Sequence, residues 1–150
     1  MSGKTLRETL AAVGVMLSLL FVGLELRQNT LAVRATALND LATGSREYLL
    51  TVGSNPDLIA ARIRWIAGEE LEPVEMEMTI WTLSALLRNM ENVFLQVRAG
   101  AVDESALQSY GFSVALPFRS PHFAAMWASR RGGFHPDFVA AFEAQLGLTP

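Results

Sequence analysis

An apolar run without charges lies near the amino end of the chain. Residues 9–24 contain no charged side chain, and charged residues flank the run on both sides. At 1.5 Å per residue, a helix of this length spans about 24 Å, slightly less than the roughly 30 Å core of a bilayer. The stems of Arg7 and Arg27 can extend along the lipid and place their charges among the headgroups. We therefore predict a single membrane-anchoring helix in residues 1–28.

Two other interpretations of this segment stay open. A cleaved signal peptide would need a small-x-small pair directly after the apolar run, and the pair at 35–37 lies beyond several charged residues. A buried core helix of a soluble bundle fits the short length. For orientation, Lys4 and Arg7 before the run balance Arg27 and Arg34 after it. Because a short amino-terminal head is simplest to keep inside, we favour a periplasmic location for the remainder.

A pair of small residues lies inside the predicted span. Gly14 and Ser18 form a small-x-x-x-small pattern, which lets two helices approach closely in lipid. The pair predicts a helix-packing face, and a homo-oligomer is one way to use it.

Helical spacing continues through residues 29–150, and no segment alternates as a strand would. The first helix is expected to continue past the span, since apolar residues recur every three or four positions, with a break at 43–45: Leu31, Ala35, Leu38, Ala42, Leu49 and Val52. A second helix is predicted over Pro56–Ala67, with Ile59, Ile63 and Ile66 on one stripe and Gly68 at its end.

The third helix has the longest regular pattern. Its apolar residues alternate spacings of four and three, which predicts a core-facing stripe: Met76, Ile80, Leu83, Leu87, Met90, Phe94, Val97 and Ala101. Further helices are predicted near 105–113, from Ser120 onward, and from His135 onward. The sequence therefore predicts an all-α protein in which one transmembrane helix (1–28) precedes a compact bundle of about five helices (29–150).

Composition narrows the possible functions. The net charge of −3 argues against nucleic-acid binding, and the absence of cysteine excludes disulfides, thiolate metal sites and cysteine nucleophiles. No phosphate-binding glycine loop, metalloprotease motif or calcium loop occurs. His122 and His135 both stand at predicted helix starts, where a structural role is the simpler interpretation. We therefore expect no catalytic residues, no metal site and no cofactor.

Polar residues on the third helix suggest a hydrogen-bond network. Arg88, Asn92 and Gln96 share a face because they are spaced by four, and Glu91 lies close to Arg88. This face is either solvated or packed against the first helix. Packing would supply partners for an acid at the membrane boundary, which is costly when unpaired. The predicted network comprises Glu25, Gln28, Asn29, Arg88, Glu91, Asn92 and Gln96.

An aromatic run follows in the last third of the chain. Core packing is the first interpretation of these rings, and any that stay exposed would form a docking surface. Two adjacent arginines could cap a helix or meet phosphate headgroups. The candidate docking residues are Phe118, Phe123, Trp127, Arg130, Arg131 and Phe134.

Several segments resemble a broad group of uncharacterised small bacterial membrane proteins. These segments are residues 21–30 (FVGLELRQNT), 91–96 (ENVFLQ) with Gly100, 127–130 (WASR) and 134–138 (FHPDF). Members of that group have one N-terminal transmembrane helix and a helical tail. The resemblance implies this architecture, a bacterial origin and hence the inner membrane. It implies no activity and no cofactor.

These patterns lead to two functional hypotheses. The first is a non-enzymatic, membrane-anchored accessory or scaffolding subunit, whose partners are the lipid bilayer and a larger membrane complex. A respiratory or photosynthetic complex is the expected kind of host, on architecture alone. The alternative is a ligand-binding or enzymatic helical domain that uses the polar set on the third helix.

Overall fold

The computed structural model describes residues 3–111 and 116–148, and no strand occurs in these ranges. Five α-helices are α1 Gly3–Gly53, α2 Pro56–Ala67, α3 Pro73–Arg98, α4 Pro121–Arg130 and α5 Pro136–Leu146. The helix expected near 105–113 contains a single π-helical turn, Leu107–Gly111, and residues 112–113 lie outside the described residues. Two short 3₁₀ turns, Leu116–Arg119 and Arg131–Gly133, flank α4. The predicted all-α class is confirmed.

The chain divides into two units between Thr36 and Ala37. We call residues 1–36 the amino-terminal unit and residues 37–150 the folded unit. The division falls later than the boundary at residue 28 that composition suggested. Residues 10–36 of α1 are all exposed, and Ala37 is the first buried residue after them. Packing, and not hydropathy, therefore decides where the folded unit begins.

Helix starts follow their local sequence. Asn55 Oδ1 accepts a hydrogen bond from the Leu58 amide (3.1 Å) at the start of α2, and Ser120 Oγ accepts one from the His122 amide (3.3 Å) at α4. His135 Nδ1 accepts one from the Asp137 amide (3.2 Å) at α5. Proline follows each of these three caps, where its missing N–H costs nothing. The predicted helix starts at these three positions are confirmed.

The buried face of α1 is not the leucine stripe that its spacing suggested. Ala37 and Leu41 are buried, whereas Leu38 and Leu49 are 43% and 66% exposed. The helix also passes through 43–45 without a break. A Cβ built on Gly44 would lie 2.9 Å from Asn89 Oδ1, so the glycine allows α3 to approach closely. This contact is therefore formed by Leu41 together with small residues, and not by Leu38 and Leu49.

Helix α2 also buries a different face from its isoleucine stripe. Leu58, Ala61 and Trp65 are buried. The Trp65 indole donates to the Pro117 carbonyl (2.9 Å), and Ser120 Oγ donates to the Trp65 carbonyl (2.5 Å). With this large side chain held inward, Ile59, Ile63 and Ile66 remain 39%, 62% and 37% exposed. The isoleucines form an uncovered apolar stripe, here called the α2 isoleucine stripe.

Helix α3 provides much of the core, as its pattern predicted. Leu83, Leu87 and Met90 are buried, and Leu86 and Val93 extend the buried surface to a second side of the helix. The aromatic rings pack against it; Trp127 and Phe142 have ring centres 4.9 Å apart, and Phe118 and Phe123 are 5.1 Å apart. This aromatic cluster belongs to the larger of two buried clusters in the folded unit, and Val93 belongs to the other.

Candidate functional site

Helix α1 contains a segment long and apolar enough to cross a membrane. An 18-residue window within Leu10–Gly53 has a mean hydropathy of 1.9, and none of its residues is buried. A signal sequence meets the same criteria, but a core helix of this chain would bury such residues. Ser18 Oγ donates to the Gly14 carbonyl (2.9 Å), and a Cβ on Gly14 would meet no atom within 4 Å. Among the described residues, no other helix therefore packs against the predicted Gly14–Ser18 pair.

Arg88 and Glu91 form the centre of the polar set on α3. Arg88 donates from Nη1 to Glu91 Oε2 (2.7 Å) and from Nη2 to the Gly133 carbonyl (2.9 Å). Its guanidinium also lies 4.1 Å from the centre of the Phe134 ring. Glu91, which is 8% exposed, accepts at Oε1 from the His135 amide (2.5 Å). These two residues therefore hold the segment that leads into α5.

The other members of the predicted network do not join this arrangement. Among the hydrogen bonds of the described residues, none involves the side chains of Glu25, Gln28, Asn29, Asn92 or Gln96. The first three of these side chains are exposed, as is Asn92, and Gln96 is half-buried. The partners of Glu91 are therefore Arg88 on α3 itself and the His135 amide at the start of α5, and not residues of the first helix. Its two carboxylate oxygens are occupied.

A second buried carboxylate, Glu143, was missed by the sequence reasoning. It is 8% exposed, accepts from the Trp127 indole (2.9 Å), and pairs with Arg131 Nη1 (3.2 Å). The available signal was its position four residues after Val139, on the inward stripe of α5. A carboxylate on a buried stripe needs donors, and an indole and an arginine supply them here. Glu143 thereby joins α5 to α4.

The candidate docking surface is mostly interior. Phe118, Phe123, Trp127 and Phe134 are between 1% and 9% exposed, because their rings complete the aromatic cluster. These four rings are therefore not a docking surface in the folded unit. Among the described residues of the folded unit, Trp81 of α3 is an aromatic side chain that is exposed, at 64%.

The two arginines of the docking set have different surroundings. Arg131 is paired with Glu143. The guanidinium of Arg130 lies 5.2 Å from the centre of the Trp81 ring, at the edge of a groove of about 520 Å³ that Arg88 also lines. Cation–π contact of this kind contributes about 0.5–1 kcal/mol at an exposed site.

The two histidines and Asp103 each make a structural contact. His122 Nε2 lies 2.9 Å from the Glu69 carbonyl oxygen, and His135 caps α5. Asp103 accepts a hydrogen bond from the Ser105 amide (2.9 Å), which lowers the pKa of its carboxyl. No cluster of three or more His, Cys, Asp or Glu side chains that could hold a metal occurs among the residues described.

Over the residues described, the protein is therefore an all-α chain with one helix long and apolar enough to cross a membrane, and its folded unit contains two buried carboxylates. No protein-family model, curated protein or solved structure matches the chain. Its function is therefore inferred from the surfaces and charges of its own residues.

Proposed function

We propose that this protein is a non-enzymatic, membrane-anchored accessory subunit that docks on a larger membrane protein assembly. The observation that carries the proposal is apolar surface left uncovered in both units. In the amino-terminal unit this surface is the fully exposed apolar window of α1. In the folded unit it is the α2 isoleucine stripe.

The exposed apolar window of α1 is better accommodated in lipid than in water. Sixteen successive uncharged residues would be costly to keep in water, at about 25 cal/mol per Å² of apolar surface. Arg7 and Arg27 lie at its ends, where their charges can reach the headgroups. The resemblance to bacterial membrane proteins supports the inner membrane as the location.

A protein partner fits the isoleucine stripe better than lipid does. Charged residues are interleaved with the stripe or follow it closely, including Arg62, Arg64, Glu69 and Glu70. Apolar residues rimmed by both signs of charge are typical of protein–protein interfaces. Val74 and Trp81 of α3 are further exposed apolar residues of the folded unit, at 70% and 64%, and tryptophan is a frequent hot-spot residue.

The ligand-binding alternative draws less support from the polar set on α3. Glu91 already has Arg88 and the His135 amide as partners, so its carboxylate is committed to structure. The accessory hypothesis is therefore preferred.

A single charge placed on the isoleucine stripe tests docking. Ile63→Glu should reduce recovery of the partner by about tenfold or more after extraction of native membranes in a mild detergent, because a charge buried at an interface goes unpaired. Ala128→Glu is the matched control, since it places the same charge on an exposed alanine of a different helix, α4. Mass spectrometry of the purified material is the measurement.

The supporting result is one membrane protein recovered at a fixed ratio with the wild type and with Ala128→Glu, and lost with Ile63→Glu. Recovery of a lone monomer from native membranes would contradict the proposal. Release of the uncleaved chain into the supernatant without detergent would contradict the anchor itself.

The orientation of the protein in the membrane can be measured by labelling introduced cysteines, because the chain has no cysteine of its own. We expect Ser54→Cys, at an exposed position, to react with a membrane-impermeant maleimide in intact spheroplasts. Lys4→Cys, near the amino end, should react only after lysis. The reverse labelling pattern would place the folded unit in the cytoplasm and overturn the periplasmic assignment.

A further inference from the structure

A pocket of about 280 Å³ opens on the folded unit beside α1, α2 and α3. Leu49, Val52 and Leu86 line its apolar side. This volume lies just below the range of roughly 300–1,000 Å³ that holds drug-sized ligands, so an occupant would be about one ring in size. None of the described residues that line the pocket is acidic.

The charged group of the pocket is Arg62. Its guanidinium donates a hydrogen bond to the Tyr48 hydroxyl and lies 5.6 Å from the centre of the Tyr48 ring. Among the ion pairs of the residues described, Arg64 and Arg131 each have a carboxylate, and Arg62 has none. Because Arg62 is half-buried and its partner is the neutral phenol of Tyr48, a bound anion would stabilise the charge of its guanidinium.

The Tyr48 hydroxyl is positioned to assist. Since its oxygen accepts from Arg62, its own hydrogen is available for an acceptor in the pocket. Burial raises the pKa of Tyr48 despite the opposing effect of Arg62, so the phenol keeps its proton at neutral pH.

The opposite wall is held in place by Asn89. Its Nδ2 donates to Ser45 Oγ (3.2 Å), and its Oδ1 lies where a Cβ on Gly44 would approach to 2.9 Å. The glycine therefore leaves room for this amide, and the pocket is formed before any ligand arrives. Preformed polar groups lower the cost of binding.

We propose that this pocket, here called the Arg62 pocket, binds a small organic anion. The anion is a carboxylate or a phosphate monoester that carries one aromatic ring or a short alkyl chain. Its charged group contacts Arg62 and Tyr48, and its apolar part lies against Leu49, Val52 and Leu86. The pocket lining includes none of the three isoleucines of the stripe, and anion binding does not depend on the accessory role.

Fluorine NMR of three probes tests the proposal on the full-length protein in a nonionic detergent. The probes are 4-fluorobenzoate, 4-fluorophenyl phosphate and the neutral 4-fluorobenzamide. At least one anion should bind about tenfold or more tightly than the amide, and the tighter of the two identifies the acid class. Two anions that bind no better than the amide would overturn the proposal.

Three variants show whether Arg62 is responsible. Arg62→Gln should weaken anion binding by about 10- to 100-fold, as expected for the loss of a charge-assisted hydrogen bond. Tyr48→Phe keeps the ring and should weaken binding a few-fold, which also tests the site if Arg62→Gln folds poorly. Arg64→Gln, on the same helix but outside the pocket lining, is the control and should bind as the wild type.

Unchanged binding in both Arg62→Gln and Tyr48→Phe would refute the site. An equal loss in Arg64→Gln would refute it too, because the effect would then come from the general charge of α2. Neither outcome bears on partner docking, which is measured in native membranes with other variants.

Discussion

Replacing Gly68 with alanine is expected to lower the free energy of unfolding by about 2–4 kcal/mol. Gly68 ends α2 with a φ of +76°, where a side chain costs about 1–2 kcal/mol. Its Cβ would also lie 2.9 Å from Cγ and 3.2 Å from Cδ of Pro121. The proline ring cannot rotate away, so α2 or α4 must shift. Unfolding followed by the fluorescence of the buried Trp65 and Trp127 is the measurement.

Gly100→Ala separates the cost of the left-handed backbone from the cost of the contact with Pro121. Gly100 has a similar φ of +69°, but a Cβ there would meet no atom within 4 Å. This variant should lose only about 1–2 kcal/mol, the cost of the left-handed backbone alone. Equal losses in the two variants would show that the contact with Pro121 is relaxed at no cost.

Replacing Glu91 with alanine is expected to cost about 2 kcal/mol. Most of this loss comes from the His135 amide, which would have no acceptor at the start of α5. The ion pair with Arg88 adds little, because the Arg88 side chain is 54% exposed and solvent screens its charge. Thermal unfolding of the full-length protein in detergent measures the change.

Asn92→Ala is the control for Glu91. Asn92 is the next residue on α3, is exposed, and makes no side-chain hydrogen bond among the described residues. Its replacement should change stability by about 0.5 kcal/mol or less. Glu91→Gln should fall between the two, since its amide oxygen can still accept from the His135 amide. A Glu91→Ala protein as stable as Asn92→Ala would mean that the contacts of Glu91 with Arg88 and the His135 amide contribute nothing to stability.

The buried carboxylates also bear on the proposed docking role. Glu91 and Glu143 join α5 to α3 and α4 through buried contacts. The α2 isoleucine stripe and Trp81 take no part in these contacts and are exposed. A rigid unit that presents apolar residues outward binds a partner at a lower entropic cost than a flexible one.

Features that depend on a few neighbouring residues could be predicted from the sequence. The caps at Asn55, Ser120 and His135, and the end of α2 at Gly68, require only local hydrogen bonds and backbone preferences. The apolar window of α1 depends on composition alone. The Arg88–Glu91 pair was also local, since the residues are three apart on one helix.

The tertiary structure alone decided which faces are buried and which residues meet. On α1 some leucines are buried and others face outward, and the close approach of α3 at Gly44 depends on the missing side chain. Trp65 likewise turned the isoleucines of α2 outward. The partner of Glu91 lies 44 residues away, and the Arg62 pocket joins three helices. Such pairings depend on the packing of distant segments, which helical periodicity does not encode.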